Sequence, residues 1–319
     1  MNNHPHTMLA EWYPQRDSLA WVLGSVVATR GSSYRKVGAM MLFNELGGMC
    51  GLLSGGCVEK SLFRQVKQVL STGQSLATQF DASAEAQIAW QMGLGCGGII
   101  DVQLQLVCSA NGYQQLDQLY QWLQRRRACW YGIHRRGGGN VCGEAGAAGD
   151  GYLWTPIRPR THLVIFGGGV DAVPLVRLAC DMDWQVSVVD ARANQAVDPV
   201  FSSHCQLLRL PAADPQVARL LSGADAAVVM THNVSLDAQA LKTACAAPVD
   251  YIGLLGPEHR KQRVLAQAGL KPDQRLYGPM GLMIGGDLPE SIALSTLAQC
   301  HQVLAAAGAR QTLPRAQRA

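Results

Sequence analysis

Two rhythms of apolar residues divide the chain. In the first half, apolar runs, alternating stretches and helical spacings follow one another without a regular order. Ala20 to Thr29 carries Trp21, Val22, Leu23, Val26 and Val27 and predicts a strand, and Gly38 to Phe43 predicts a second. From Val58 onward Leu62, Phe63, Val66, Val69 and Leu70 recur at helical intervals, so a helix is expected to begin near residue 57. Asp81 and Ser83 precede a stretch that reads as helical through Trp90 and Met92. Ile100, Val102, Leu104 and Leu106 then alternate with Asp101, Gln103 and Gln105, the pattern of a half-buried strand. Leu116, Leu119, Tyr120 and Leu123 predict an amphipathic helix closed by Arg125, Arg126 and Arg127, where the helix dipole favours cations. Residues 128–133 and 152–154 predict strands around a glycine- and alanine-rich loop, and Pro156 and Pro159 mark a linker.

Beyond that linker the rhythm becomes regular. Strands at His162–Phe166, Gln185–Val189, Ala226–Met230 and Tyr251–Leu255 alternate with helices at Val173–Cys180, Pro215–Leu221, Leu236–Cys245 and Glu258–Ala268. Such alternation predicts a doubly wound parallel sheet. A last helix is expected to start with Asp287 as N-cap, Pro289 just inside and Glu290 completing a capping box. The expected fold is α/β: a C-terminal Rossmann-like doubly wound parallel sheet with a smaller N-terminal α+β domain. The boundaries expected are 1–158, 159–308 and a flexible tail at 309–319.

Composition narrows the function. A chain of 319 residues with 48% hydrophobic and 16% charged residues can bury two cores. The net charge of +4 is not gathered into a basic stripe, so no nucleic-acid partner is expected. Without an apolar run of about 18 residues or the pattern of a secretory signal near Met1 to His6, no membrane partner and a cytoplasmic location are expected. Ten cysteines without a CxxC pattern are neither a disulfide scaffold nor a zinc ribbon.

Two of those cysteines stand apart. Cys57 follows Gly55 and Gly56 and precedes Glu59 at the expected start of a helix, where the dipole favours a thiolate or an approaching anion. Cys96 lies in Gly93-Leu94-Gly95-Cys96-Gly97-Gly98, again among glycines. Arg30 and Arg35, with Gly31, Ser32 and Ser33 between them, form a loop suited to an anion, because guanidinium forks match phosphate oxygens. In the second half the strand ending at Phe166 runs into Gly167-Gly168-Gly169-Val170-Asp171-Ala172, which fits G-x-G-x-x-G/A. Asp190, about 20 residues on, is the expected ribose partner of a dinucleotide. Arg192 and His232 are further candidates beside that crevice, Arg192 as a base-stacking group and His232 as a proton donor.

Arg30-Gly31-Ser32-Ser33, Gly38, Gly55 through Glu59, Gly95 through Gly98, residues 163–172, Thr231-His232-Asn233 with Asp237, Tyr251-Ile252-Gly253, and Pro279 through Glu290 together carry a resemblance. From about residue 20 to residue 300 the chain resembles the XdhC/CoxI family of xanthine dehydrogenase accessory factors. Three positions depart from the family pattern: Tyr34, Pro257-Glu258-His259 and Met283. The resemblance implies a chaperone that binds molybdenum cofactor, as molybdopterin or its cytosine dinucleotide form, supports its sulfuration and delivers it to an apo molybdenum hydroxylase. It implies an accessory factor rather than an enzyme. It further implies a cysteine desulfurase of the NifS type and a molybdenum-cofactor nucleotidyltransferase as partners, and a homodimer. On that reading Cys57 and Cys96 contact the metal or its sulfur, and Arg30 and Arg35 take the phosphate. The crevice at Gly167, Gly169, Asp190 and Arg192 accepts a pterin or nucleotide tail. The competing readings are an NAD(P)-dependent oxidoreductase using the Rossmann crevice, a persulfide carrier at Cys57, and a docking platform without a ligand.

Overall fold

A computed structural model describes residues 4–54, 57–81, 98–146 and 151–312, and at 57, 58, 60 and 309–312 it describes the main chain alone. Gly55, Gly56, Cys96, the stretch expected to be helical through Met92 and the last residues of the tail lie outside the described residues. Two compact units, Met1–Pro159 and Arg160–Ala319, make up the chain.

The first unit begins with a helix that the polar opening of the sequence does not predict, α1 (Pro5–Trp12). Next come β1 (Trp21–Arg30), β2 (Met40–Asn44), β3 (Met49–Gly51), α2 (Cys57–Thr72), β4 (Leu76–Asp81), β5 (Ile99–Val107) and α3 (Leu116–Gln124). The five strands form an antiparallel sheet in the order β3-β2-β1-β5-β4. β1 is its spine, because alternate residues feed two different cores. Trp21 and Leu23 pack with Met8, Leu9 and Trp12 of α1 and Leu116, Leu119 and Leu123 of α3. Val22 and Val26 pack with Leu62, Val66 and Val69 of α2. A smaller sheet in the order β7-β6-β8 is built from β6 (Cys129–His134), β7 (Val141–Gly143) and β8 (Tyr152–Ile157). It contributes Cys129, Tyr131, Ile133 and Ile157 to the α1/α3 core.

The second unit runs β9 (His162–Phe166), α4 (Ala172–Asp181), β10 (Gln185–Val189), α5 (Pro199–Ser203), β11 (Gln206–Leu208), α6 (Pro215–Ser222), β12 (Ala226–Val229), α7 (Val234–Ala246), β13 (Tyr251–Leu254), α8 (Glu258–Ala268), β14 (Leu276–Tyr277) and α9 (Pro289–Thr312). Its six strands are parallel in the order β11-β10-β9-β12-β13-β14, the doubly wound Rossmann arrangement. Every residue of β9 and β12 is buried, because helices cover both faces. The chain reverses direction across the sheet between β9 and β12, and ligands of such sheets bind at the carboxyl ends of the strands beside that point. α9 starts at Pro289, which makes Leu288 its N-cap in place of the expected Asp287, and it continues through Gly308 to Thr312.

Candidate functional site

In the first unit, strand pairing brings the Arg30 loop and the ends of the segment bearing Cys96 to one end of the five-stranded sheet. Arg30 at the end of β1 pairs with Ile99 at the start of β5, and Asp81 at the end of β4 pairs with the same Ile99. Gly51 at the end of β3 pairs with Met41 at the start of β2. The loop that starts at Arg30 and both ends of the segment that carries Cys96 therefore share one edge, whereas Gly51, on the way to Cys57, lies through Met41 at the level of Gly24 in the middle of β1. Contact is direct at Gly98, where an added Cβ would lie 2.0 Å from the Ser32 carbonyl oxygen. Only glycine lets these two loops meet.

Cys57 is the first residue of α2, as its helical spacing requires. Glu59, in the same first turn and 2% exposed, fixes the approach to it. Its Oε1 accepts the N–H groups of Leu53 at 3.1 Å and Ser54 at 2.6 Å, and its Oε2 accepts the Ser54 hydroxyl at 2.7 Å. The carboxylate is committed to the loop and acts on position 57 through the backbone. Arg30 is mostly exposed and reaches Asp101 only at 3.7 Å, a loose surface pair that contributes little and leaves the guanidinium accessible. Arg35 is half-buried on the same loop.

The second unit brings together Gly167, Gly169, Asp190, Arg192 and His232 at the carboxyl edge of its sheet. Gly167 has φ +111°, and a Cβ there would lie 2.5 Å from the Met230 carbonyl oxygen; at Gly168 it would lie 2.3 Å from the Ala196 Cβ. Gly169 is different. Its nearest neighbour to an added Cβ is Gln195 Oε1 at 3.6 Å, so this part of the loop is open to a ligand. α4 starts three residues later and directs its amino end there.

Asp190 is almost completely buried, and both its oxygens are engaged. Oδ1 accepts Arg192 N–H at 3.0 Å and Nε at 2.9 Å, while Oδ2 accepts Gly168 N–H at 2.8 Å and Arg192 Nη2 at 2.7 Å. Burial alone would raise its pKa, yet the Arg192 guanidinium and the two main-chain donors outweigh burial and hold it below the usual aspartate range. Arg192 also donates from Nη1 to the Thr231 carbonyl at 3.0 Å, so it ties the β10 loop to the β12 loop across the reversal point. His232, at φ +61°, adds a second tie through Nε2 to Asp171 Oδ2 of the glycine loop at 2.7 Å. Beside these groups lies a cavity of about 60 Å³ lined by Phe166, Leu210, Leu236 and Ala240.

Sequence reasoning quoted Asp237 within the resemblance but gave it no role, and it anchors the β12 loop. Asp237, 1% exposed, accepts Thr231 N–H at 3.0 Å, Thr231 Oγ1 at 2.6 Å and Arg260 Nη2 at 2.6 Å. Asn233 caps α7, accepting the N–H groups of Ser235 and Leu236. The missed partner is Arg260, which α8 supplies and no local pattern links to Asp237.

The acid that would accept the ribose hydroxyls of a nicotinamide dinucleotide already holds four hydrogen bonds, so a ribose has to compete for it. Tyr251, one of the residues that carry the resemblance, is fully buried and donates to Gln299 Oε1 at 2.8 Å. Burial pushes its pKa up. Among the described residues no three His, Cys, Asp or Glu side chains come together to hold a metal, and no helix is long and apolar enough to cross a membrane.

Comparison with known proteins sets this geometry in context. Residues 15–81 match the family model described as XdhC and CoxI family, and residues 163–300 match the XdhC Rossmann domain. A protein of Bacillus subtilis (strain 168), named as a probable xanthine dehydrogenase subunit, is 32% identical over 93% of this chain and 96% of its own length. The chain belongs to the XdhC and CoxI family. Another relative, "Molybdenum cofactor insertion chaperone PaoD" of Escherichia coli (strain K12), is 26% identical over 88% of this chain and 83% of its own. A crystal structure described as a xanthine dehydrogenase from Bacillus halodurans superposes with a TM-score of 0.83 at 29% identity and covers 98% of both chains. The XdhC and CoxI match spans β1 to β4 and so includes Arg30, Arg35, Cys57 and Glu59. The XdhC Rossmann match contains Gly167, Gly169, Asp190, Arg192, His232 and Asp237.

Proposed function

We propose that this chain is an accessory factor that binds molybdenum cofactor, shields it while its terminal sulfur is installed, and delivers it to an apo molybdenum hydroxylase of the xanthine dehydrogenase or aldehyde oxidoreductase type. The observation that carries this reading is the single sheet edge shared by the Arg30–Arg35 loop and both ends of the segment bearing Cys96. A cargo with a phosphate, an oxidisable dithiolene and a metal needs anion donors and soft ligands on one surface. Arg30 and Arg35 supply the first, and Cys57 and Cys96 are assigned the second. The names of the relatives agree with this chemistry. In the second unit the open Gly169 and the amino end of α4 are assigned a phosphate, such as that of a cytosine dinucleotide form.

A cysteine desulfurase of the NifS type, a molybdenum-cofactor nucleotidyltransferase and a second copy of the chain are the further partners of this reading, and its setting is the cytoplasm. The test is anaerobic loading of the full chain with molybdenum cofactor, followed by gel filtration and addition of an apo-hydroxylase. Wild type is expected to retain the cofactor and activate the enzyme, whereas Cys57→Ala and Cys96→Ala lose retention. Equal retention in all three proteins overturns the assignment. Fluorescence titration with NADH is expected to show no saturable binding.

A further inference from the structure

Two thiols away from the sheet edge face each other. Cys129 opens β6, and Cys142 stands in the middle of β7. The β6–β7 register pairs Tyr131 with Cys142, so Cys129, two residues before Tyr131 on the same face, is the diagonal neighbour of Cys142. Cys129 is 2% exposed, and Cys142 is half-buried on an edge strand. The neighbouring Cys142 side chain, together with burial, pushes the Cys129 thiol up, while the Cys129 S–H beside it holds the Cys142 thiol down. Cys142 is thus the thiol that ionises first, with the buried Cys129 S–H steadying it.

Cys180, Cys205 and Cys50 are placed differently. Cys180 and Cys205 donate to the main-chain carbonyls of His204 and Phe201, and burial pushes Cys205 up to about 12. Burial pushes Cys50 up to about 12 as well.

We propose that Cys129 and Cys142 form a redox-active dithiol, with Cys142 attacking hydrogen peroxide and Cys129 resolving the product to a disulfide. In the first step the Cys142 thiolate takes the distal oxygen of the peroxide. The O–O bond breaks, Cys142 becomes a sulfenic acid, and the other oxygen leaves as water after protonation by solvent. In the second, Cys129 sulfur attacks Cys142 sulfur and expels the sulfenic oxygen as a second water, with the thiol proton. Two thiols are oxidised by two electrons and one peroxide is reduced to two waters.

The register also sets the character of the bond. Diagonal neighbours in an antiparallel pair have Cα atoms about 7–8 Å apart, whereas relaxed disulfides need roughly 4.4–6.8 Å. β7 has to shift toward β6 for the bond to close. It is three residues long and paired on one side only, so it is the element able to move. Asn140 opposes that shift. Its side chain is bonded to Gln105, Tyr131 and the main chain of His134. The disulfide is therefore strained and easily reduced by a dithiol. This role is independent of whether the chain carries a cofactor.

The test treats the reduced full-length chain with hydrogen peroxide, alkylates the remaining thiols and maps the peptides by mass spectrometry. A Cys129–Cys142 linked peptide, lost again on treatment with dithiothreitol, is expected. In Cys129→Ala the reaction stops at a Cys142 sulfenic acid, captured by a 1,3-dione probe about tenfold more than Cys205. Failure of that variant to fold leaves the wild-type map to decide. The proposal is overturned when Cys129 and Cys142 both stay alkylatable at a peroxide dose that oxidises other thiols, or when Cys142 is linked to a different cysteine.

Discussion

Glu59 illustrates how a charged side chain governs a site it does not enter. Three donors converge on its buried carboxylate, and Gln can accept from only part of that set while turning an NH₂ group toward the rest. Glu59→Gln is expected to lower stability by about 1–3 kcal/mol, read from urea denaturation of the full chain. Cofactor retention is expected to fall with it, because the main chain leading to Cys57 loosens. Asp190 yields a prediction with a sign. Its folded pKa lies below the ordinary aspartate value, so the stabilisation it brings is present above that value and disappears as pH falls through the folded pKa. The difference in melting temperature between wild type and Asp190→Asn should be full at neutral pH and vanish in strong acid. Thermal melts at a series of pH values check this, and a difference constant with pH would contradict it.

Among the elements, α1 is held by its buried face. Trp12 is 0% exposed within the core formed with β1 and α3, and Trp12→Ala is expected to cost about 3–5 kcal/mol in the same denaturation experiment. That helix is illegible from sequence because eight residues give too few turns for a period, and the polar residues around Pro5 mask Met8, Leu9 and Trp12. β9 and β12 are legible for the opposite reason, since strands covered on both faces read as unbroken apolar runs. At the site, each glycine-flanked motif is visible locally, but its neighbours are not. What unites Arg30 with Gly98 and Ile99 is the long-range pairing of β1 with β5, which no local pattern encodes. Asp190 reads as a ribose acceptor, whereas Arg192 folds back on it; the Asp-x-Arg spacing at the end of a strand is the signal available. Gly98→Ala offers a direct check on the loop contact. A Cβ pressed to 2.0 Å against the Ser32 carbonyl must push the arginine loop away, so cofactor retention should drop while the Rossmann unit melts unchanged.

At the scale of the molecule, the four apolar clusters among the described residues are partitioned, two to each unit, with none shared. Chemical denaturation is therefore expected to show two transitions rather than one. Trp184 is the single tryptophan of residues 160–319 and is buried, so it reports the second unit by itself. Replacing it with Phe should erase one fluorescence transition and leave both visible by circular dichroism. A single coincident transition in both probes would rule out independent cores.

The pairing of Asp190 with Arg192 also bears on competition among solutes. The sugar of a dinucleotide gains a bond to Asp190 only by displacing one that Arg192 or Gly168 already makes to it. The open backbone at Gly169, by contrast, asks no internal bond to break before an anion docks there.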